Sequence, residues 1–273
     1  MKKIIIAFDG QHFSEGAFEF ALQLHGIKPV SITGVFLSAV DYTAILNYPL
    51  LMGAPETYIE HMKGNDQPVL AGNIKDFEER CNKHNIPYKV HNSVSGLVFE
   101  ELKKESRFAD FIILSSELFY KNIGDQPNDY LKEVLQNVEC PVVLVPEKYE
   151  FPTNIILSYD GTESSVFAIK QFIYLFPELC NRKTLLVYFS EKDIELPYSI
   201  LIEELVQRHF SDISFYKLDN NAANYFSNWL LTQKNPLVIS GSFGRSGFAQ
   251  LFKKSFLTAI IKDHIAPVFI AHK

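Results

Sequence analysis

The residues from Gly241 to Phe256 carry the most specific chemistry in this chain. They read Gly241-Ser-Phe-Gly244-Arg245-Ser-Gly247-Phe-Ala-Gln-Leu-Phe-Lys253-Lys254-Ser255-Phe256, directly after the apolar run Pro236-Leu-Val-Ile-Ser240. A short apolar run ended by glycines reads as a buried parallel strand running into a turn. Glycine tolerates positive φ and lets another group approach the backbone. Successive N–H groups in such a turn, backed by the start of a helix, form a concavity that suits an anion. Arg245, Lys253 and Lys254 add positive charge, and no acid lies between Gly241 and Lys254. The chemistry expected here is the holding of a phosphorylated group.

Asp160 is the second candidate. It follows the run Asn154-Ile-Ile-Leu-Ser-Tyr159 and precedes Gly161. A carboxylate at a strand end can hold a ligand, or it can close a turn and cap the next helix. Tyr188 and Phe189 end another apolar run, where they line either a base pocket or the core. Bond-making constellations are missing. Gly244-Arg-Ser246-Gly247 lacks the spacing of a nucleophile elbow. No Gly-x4-Gly-Lys-Ser/Thr loop occurs, and the 8 histidines are scattered without metal-ligand spacing. No catalytic residue, no metal site and no enzymatic turnover are therefore expected.

These residues need elements to position them. Lys3–Phe8 reads as a strand closed by Asp9-Gly10, then a helix from about Ser14 to Leu24, then a strand over Val30–Leu37. The pattern breaks down from Ser38 to about Gln67, where only a short helix near Thr57–Met62 is expected. Helices over Pro68–Asn85, Gly96–Phe108 and Asp129–Val138 alternate with strands over Tyr88–Asn92, Phe111–Ser115 and Pro141–Val145. The series then restarts. Asn154–Tyr159 with Asp160-Gly161 echoes Lys3–Phe8 with Asp9-Gly10 at an offset of 151. Strands over Thr184–Phe189, Ser214–Leu218, Leu237–Ser240 and Pro267–Ala271 follow, with helices over Ser199–His209 and Ala222–Thr232 between them. Leu237–Ser240 echoes Ile112–Ser115 at an offset of 125, so the first copy is longer by 26 residues, most of them in about 39–67.

Two copies of one unit explain this order. Alternating strands and helices imply an α/β fold with parallel strands and right-handed crossovers. The expectation is two tandem five-stranded α/β domains, 1–148 and 152–273, each with strand order 3-2-1-4-5. Ligands of such sheets sit beyond the carboxyl ends of the strands at the switch point. That places Asp160 and the glycine turn on one crevice.

The repeat, the Asp-Gly strand end and Gly241-x2-Gly244-x9-Lys254-Ser255 together resemble a tandem universal stress protein. Nucleotide-binding members of that family carry Gly-x2-Gly-x9-Gly-Ser/Thr after strand four. Lys254 stands here where the third glycine would be. The resemblance implies a stress-response sensor or regulator that binds ATP or a related adenine nucleotide, with Mg, in the second copy. Asp160 would contact the ribose or a metal-bridged phosphate. The N–H groups of Gly241, Gly244, Ser255 and Phe256 would hold phosphates beside Arg245. The alternative is a scaffold of the same fold that binds a protein partner and no nucleotide, the Lys254 side chain closing the hollow. In the first copy, Ser116 and Phe119 fall on the two glycine positions, and Glu117, Asp125 and Asp129 would repel phosphate. The first copy is expected not to bind nucleotide. The resemblance also implies that the final strands, Pro141–Val145 and Pro267–Ala271, meet in a pseudo-dimer within the chain, and a homodimer of whole chains is plausible on the same ground.

Bulk composition narrows the partners. The chain has 273 residues, a net charge of −6, 47% hydrophobic and 21% charged residues. That balance is globular, and the acidic sign argues against coating nucleic acid. The cysteines, Cys81, Cys140 and Cys180, are odd in number and far apart, which fits a reducing compartment. The apolar run after Met1-Lys2-Lys3 is too short for a signal peptide, and no stretch approaches a membrane span, so a cytoplasmic location is expected.

Overall fold

The computed structural model describes residues 1–9, 12–37, 56–92, 98–117, 137–189, 196–218, 222–241 and 256–271. The chain is α/β and divides into two compact units, Met1–Cys140 and Pro141–Lys273.

In the first unit the order is β1 (Lys2–Asp9), α1 (Glu15–Ile27), β2 (Val30–Leu37), α2 (Glu56–Lys83), β3 (Tyr88–Asn92), α3 (Val98–Ser106) and β4 (Phe111–Ser115). The strands lie as β3-β2-β1-β4, all parallel. Ile4, Ile5 and Ile6 are all fully buried, as are Ile112, Ile113 and Leu114. A strand covered on both faces has no solvent side, which is why these runs are apolar without alternation. Ser14 caps α1, its Oγ accepting from the Ala17 N–H at 3.2 Å.

The irregular stretch is shorter than its composition implies. Residues 56–67, expected mostly as loop, form the start of α2, which continues through Pro68 to Lys83 as one helix of 28 residues. Proline in a helix interior removes one hydrogen bond, but the turns on either side continue. Tyr, Met, His and Pro without a clean period concealed the helix. The rest of the expected excursion, 38–55, lies outside the described residues, as does most of the helix expected over 129–138.

Above β1 and β2 the first unit holds an aromatic cluster. Phe77 from α2 is fully buried and meets Phe8, Phe36 and Tyr88 edge-on, with centroids 5.7–5.8 Å apart, and Phe18 at 6.1 Å. Gly34 makes room for it: a Cβ there would lie 3.0 Å from the Phe77 ring. Outside the ring, the Arg80 guanidinium donates to both carboxylate oxygens of Glu15 and lies 4.7 Å over the Phe13 ring.

The second unit runs β5 (Val142–Val145), β6 (Asn154–Tyr159), α4 (Glu163–Leu175), β7 (Lys183–Phe189), α5 (Ser199–Gln207), β8 (Ile213–Leu218), α6 (Ala222–Leu231), β9 (Pro236–Gly241), α7 (Phe256–Lys262) and β10 (Val268–Ala271), with a 3-10 turn at Pro177–Leu179. Its strands lie as β8-β7-β6-β9-β10, which is the 3-2-1-4-5 order. β5 adds a sixth strand antiparallel to β10, with Val143 opposite Phe269. All four residues of β5 are buried. Pairing of these two strands removes a bare apolar edge.

Candidate functional site

The carboxyl ends of β6 and β9 form the candidate site. The two strands are parallel neighbours, with Leu157 opposite Ile239. Three residues beyond Leu157 is Asp160; two beyond Ile239 is Gly241. Asp160 and Gly241 therefore emerge side by side, with the first turn of α4 between them.

That turn is tightly built. Asp160 Oδ1 accepts from the Thr162 N–H at 2.9 Å and from the Thr162 hydroxyl at 2.6 Å. Thr162 is the N-cap of α4: its Oγ1 accepts from the Ser165 N–H at 3.3 Å. The Ser165 hydroxyl donates back to the Thr162 carbonyl at 2.9 Å. Of the two roles open to Asp160 as a local group, capping thus falls to Thr162, and Asp160 braces the cap. Asp160 itself is exposed, and only one of its two oxygens is used in these bonds. Its other oxygen faces no printed donor of this turn and is the one open to a ligand.

Gly241 has a steric reason to be glycine. A Cβ on it would sit 2.6 Å from the Ser165 nitrogen and closer still to the Ser164 carbonyl. The backbone of α4 thus rests on the end of β9 with no room for a side chain. Gly161 is likewise constrained, with φ +80°, and a Cβ there would meet the Pro197 ring at 2.8 Å. Ser240, one residue before Gly241, is buried and its hydroxyl donates to the Gly241 carbonyl at 3.2 Å.

The other sequence-derived candidates distribute as follows. Phe189 is the last residue of β7, opposite Leu218 of β8, and Phe256 is the first residue of α7. Gly244, Arg245, Lys254 and Ser255 lie outside the described residues. The structure therefore brings together Asp160 and Gly241. Three participants escaped the sequence reading. Thr162 was signalled by Asp-Gly-Thr-Glu, a cap residue followed by an acid in the first turn. Tyr159, whose hydroxyl donates to the Pro197 carbonyl at 2.9 Å, and Pro197 itself had no local signal. Burial pushes the Tyr159 phenol up, with the neighbouring Asp160 charge adding to it. The phenol therefore stays protonated and able to donate.

At the end of β4 the first unit differs. The Glu117 carboxylate accepts from the hydroxyls of Ser115 at 3.2 Å and Ser116 at 3.1 Å. A negative group stands there where the second unit has glycine. Reactive sulfur is also missing among the described residues. Cys81, Cys140 and Cys180 are buried free thiols, each pushed up to about 12 by burial. No group of three or more metal-ligating side chains and no helix long and apolar enough to cross a membrane occurs among the described residues.

The cap makes a measurable claim. Thr162→Ala removes the acceptor for Ser165 and the donor to Asp160, and should lower stability by about 1–2 kcal/mol. Urea unfolding followed by circular dichroism reads this directly; Thr162→Ser should retain most of the loss.

Comparison with solved structures places the fold. A universal stress protein from Archaeoglobus fulgidus DSM 4304 superimposes with a TM-score of 0.71 at 13% identity, covering all of this chain and 96% of that one. A protein from Pseudomonas aeruginosa UCBPP-PA14, provisionally named a universal stress protein, gives 0.56 at 11% identity over all of this chain and 93% of that one. A functionally unknown protein from Pseudomonas aeruginosa PAO1 gives 0.57 at 11% identity, covering all of this chain and 92% of that one. No protein-family model and no curated relative matches the sequence. The chain thus has the fold of the universal stress proteins along its whole length.

Proposed function

We propose that this chain is a tandem universal stress protein, a stress-response regulator or sensor that binds ATP or another adenine nucleotide in its second unit. One observation carries the reading. Asp160 and the first glycine of Gly241-x2-Gly244 emerge at adjoining strand ends, on the carboxyl edge of a 3-2-1-4-5 sheet. This is the edge at which open α/β sheets take their ligands. The N–H groups of Gly241, Gly244, Ser255 and Phe256 would cradle the phosphates, with Arg245 and Lys254 supplying charge and Mg bridging. Asp160 would take the ribose through its second oxygen. In the first unit, Glu117 beside the β4 end opposes a phosphate.

A specific observation favours a second reading. Asp160 is already engaged by Thr162, so it has a complete structural role with no ligand. On this reading the chain is a scaffold of the same fold that meets a protein partner.

Thermal unfolding with and without Mg-ATP separates the two. A nucleotide present at a hundredfold excess over its Kd stabilises by about 2.7 kcal/mol, so the melting temperature of the binding state should rise by several degrees. Gly244→Asp should abolish the rise without changing the melting temperature of the free protein. No rise at millimolar Mg-ATP favours the scaffold. Steady phosphate release that Asp160→Ala abolishes would overturn both in favour of an enzyme.

A further inference from the structure

The second unit contains a hollow of about 580 Å³ between α4 and α5, within the range of about 300–1,000 Å³ typical of small-molecule sites. On α4 it is lined by Val166, Phe167 and Lys170, and on α5 by Leu201, Ile202 and Leu205. Each set follows one helix face. Tyr159 forms the inner wall, and the contact of Gly161 with Pro197 closes one end. Tyr198, which starts α5 in a left-handed backbone at φ 51°, and Leu201 stand at the rim, 70% and 65% exposed.

The internal repeat shows why the hollow exists. At the offset of 151, Phe8 falls on Tyr159, Phe13 on Ser164, Glu15 on Val166 and Gly34 on Leu185. At the offset of 125, Phe77 falls on Ile202, Arg80 on Leu205 and Cys81 on Val206. Cys81 and Val206 are both fully buried, which supports the alignment. The inner exchange conserves volume: glycine with phenylalanine in one unit becomes leucine with isoleucine in the other. The outer exchange does not. Phe13, Arg80 and Glu15, which fill this level of the first unit as a ring under an ion pair, become Ser164, Leu205 and Val166. A planar ring and its attached charges have been deleted, and nothing among the described side chains replaces them.

The charge at the site decides what would fit. Lys170 lies on the lining face of α4, and no described side chain is paired with it. We propose that the hollow between α4 and α5 binds a small aromatic molecule bearing an anionic group, its ring against Tyr159, Val166, Phe167 and Ile202 and its anion at Lys170. Such a ligand restores in the second unit what Phe13 and the Arg80–Glu15 pair supply in the first. The site lies on the helix face of the sheet and is separate from the strand-end cradle, so it stands or falls independently of nucleotide binding.

Anilinonaphthalene sulfonate, an aromatic anion that fluoresces on leaving water, is the probe. Titrated into the full chain, it should bind saturably at one site. Val166→Phe, which refills the hollow, and Lys170→Glu, which reverses its charge, should each weaken binding about tenfold or more, equivalent to about 1.4 kcal/mol. Lys170 is exposed, so Lys170→Glu leaves the fold intact and keeps the test valid if Val166→Phe does not fold. Excess Mg-ATP should not displace the probe. The proposal is overturned by no saturable binding, by binding that neither substitution changes, or by displacement with Mg-ATP. It is overturned equally if the uncharged parent amine binds as tightly, or if the site disappears as protein concentration rises, which would assign the hollow to a second copy.

Discussion

Gly241→Val should unfold the second unit or come close to it. The new side chain would have to occupy space held by the Ser164 carbonyl and the Ser165 nitrogen. These are backbone atoms in the first turn of a capped helix, not the tip of a side chain that can swing away. Relief requires α4 to lift from β9, and α4 carries the fully buried Ala168, Ile169 and Phe172. Overpacking in a core costs about 1–3 kcal/mol where side chains can give, and the cost should exceed about 3 kcal/mol where backbone must move. Denaturant unfolding should show an early transition for the second unit with the first unit's transition preserved. Gly26→Ala is the matched control. A Cβ at Gly26 meets nothing within 4 Å on α1, so the change should be neutral or stabilising by about 0.5–1 kcal/mol. Equal tolerance of both substitutions would show that α4 does not rest on β9 as described.

Phe77→Ala should be the matching lesion in the first unit. The ring is fully buried and touches Phe8, Phe18, Phe36 and Tyr88, so its removal leaves a cavity among rings that cannot collapse together. Phenylalanine-to-alanine changes in cores cost about 3–5 kcal/mol. The position of Gly34 refines the expectation. A Cβ at Gly34 crowds the Phe77 ring at 3.0 Å, so Gly34→Ala alone should be destabilising. In the Phe77→Ala background the same methyl enters vacated space, and its cost should vanish or reverse. A double-mutant cycle measures the coupling, expected at about 0.5–3 kcal/mol. Strict additivity would mean that the two residues do not share a space.

Both lesions rest on features legible to different degrees in the chain. The strand order could be read because parallel strands buried on both faces leave unbroken apolar runs, and Ile4-Ile5-Ile6 and Ile155-Ile156-Leu157 are such runs. Asp160 beside Gly241 followed from that order alone. The course of α2 through Pro68 could not be read, because proline breaks local pattern more often than it breaks a long helix held by tertiary packing. The steric role of Gly241 was also hidden. From sequence it looks like one member of a phosphate cradle, whereas its contact with α4 joins residues more than seventy positions apart. The hollow was invisible for a related reason. It consists of what Ser164, Val166 and Leu205 fail to fill, and an absence leaves no motif.

The place of β5 has a consequence for how such a chain can change over generations. By sequence, Pro141-Val-Val-Leu-Val closes the first copy, yet its hydrogen-bond partner is β10. The border of inheritance and the border of packing therefore differ by one strand. A recombination event that replaced the second copy from Pro152 onward would retain the old β5 against a new β10. Selection must then judge the incoming half together with a tetrapeptide it did not bring. Two gene segments that each encode a core are in this way kept from evolving as separate modules.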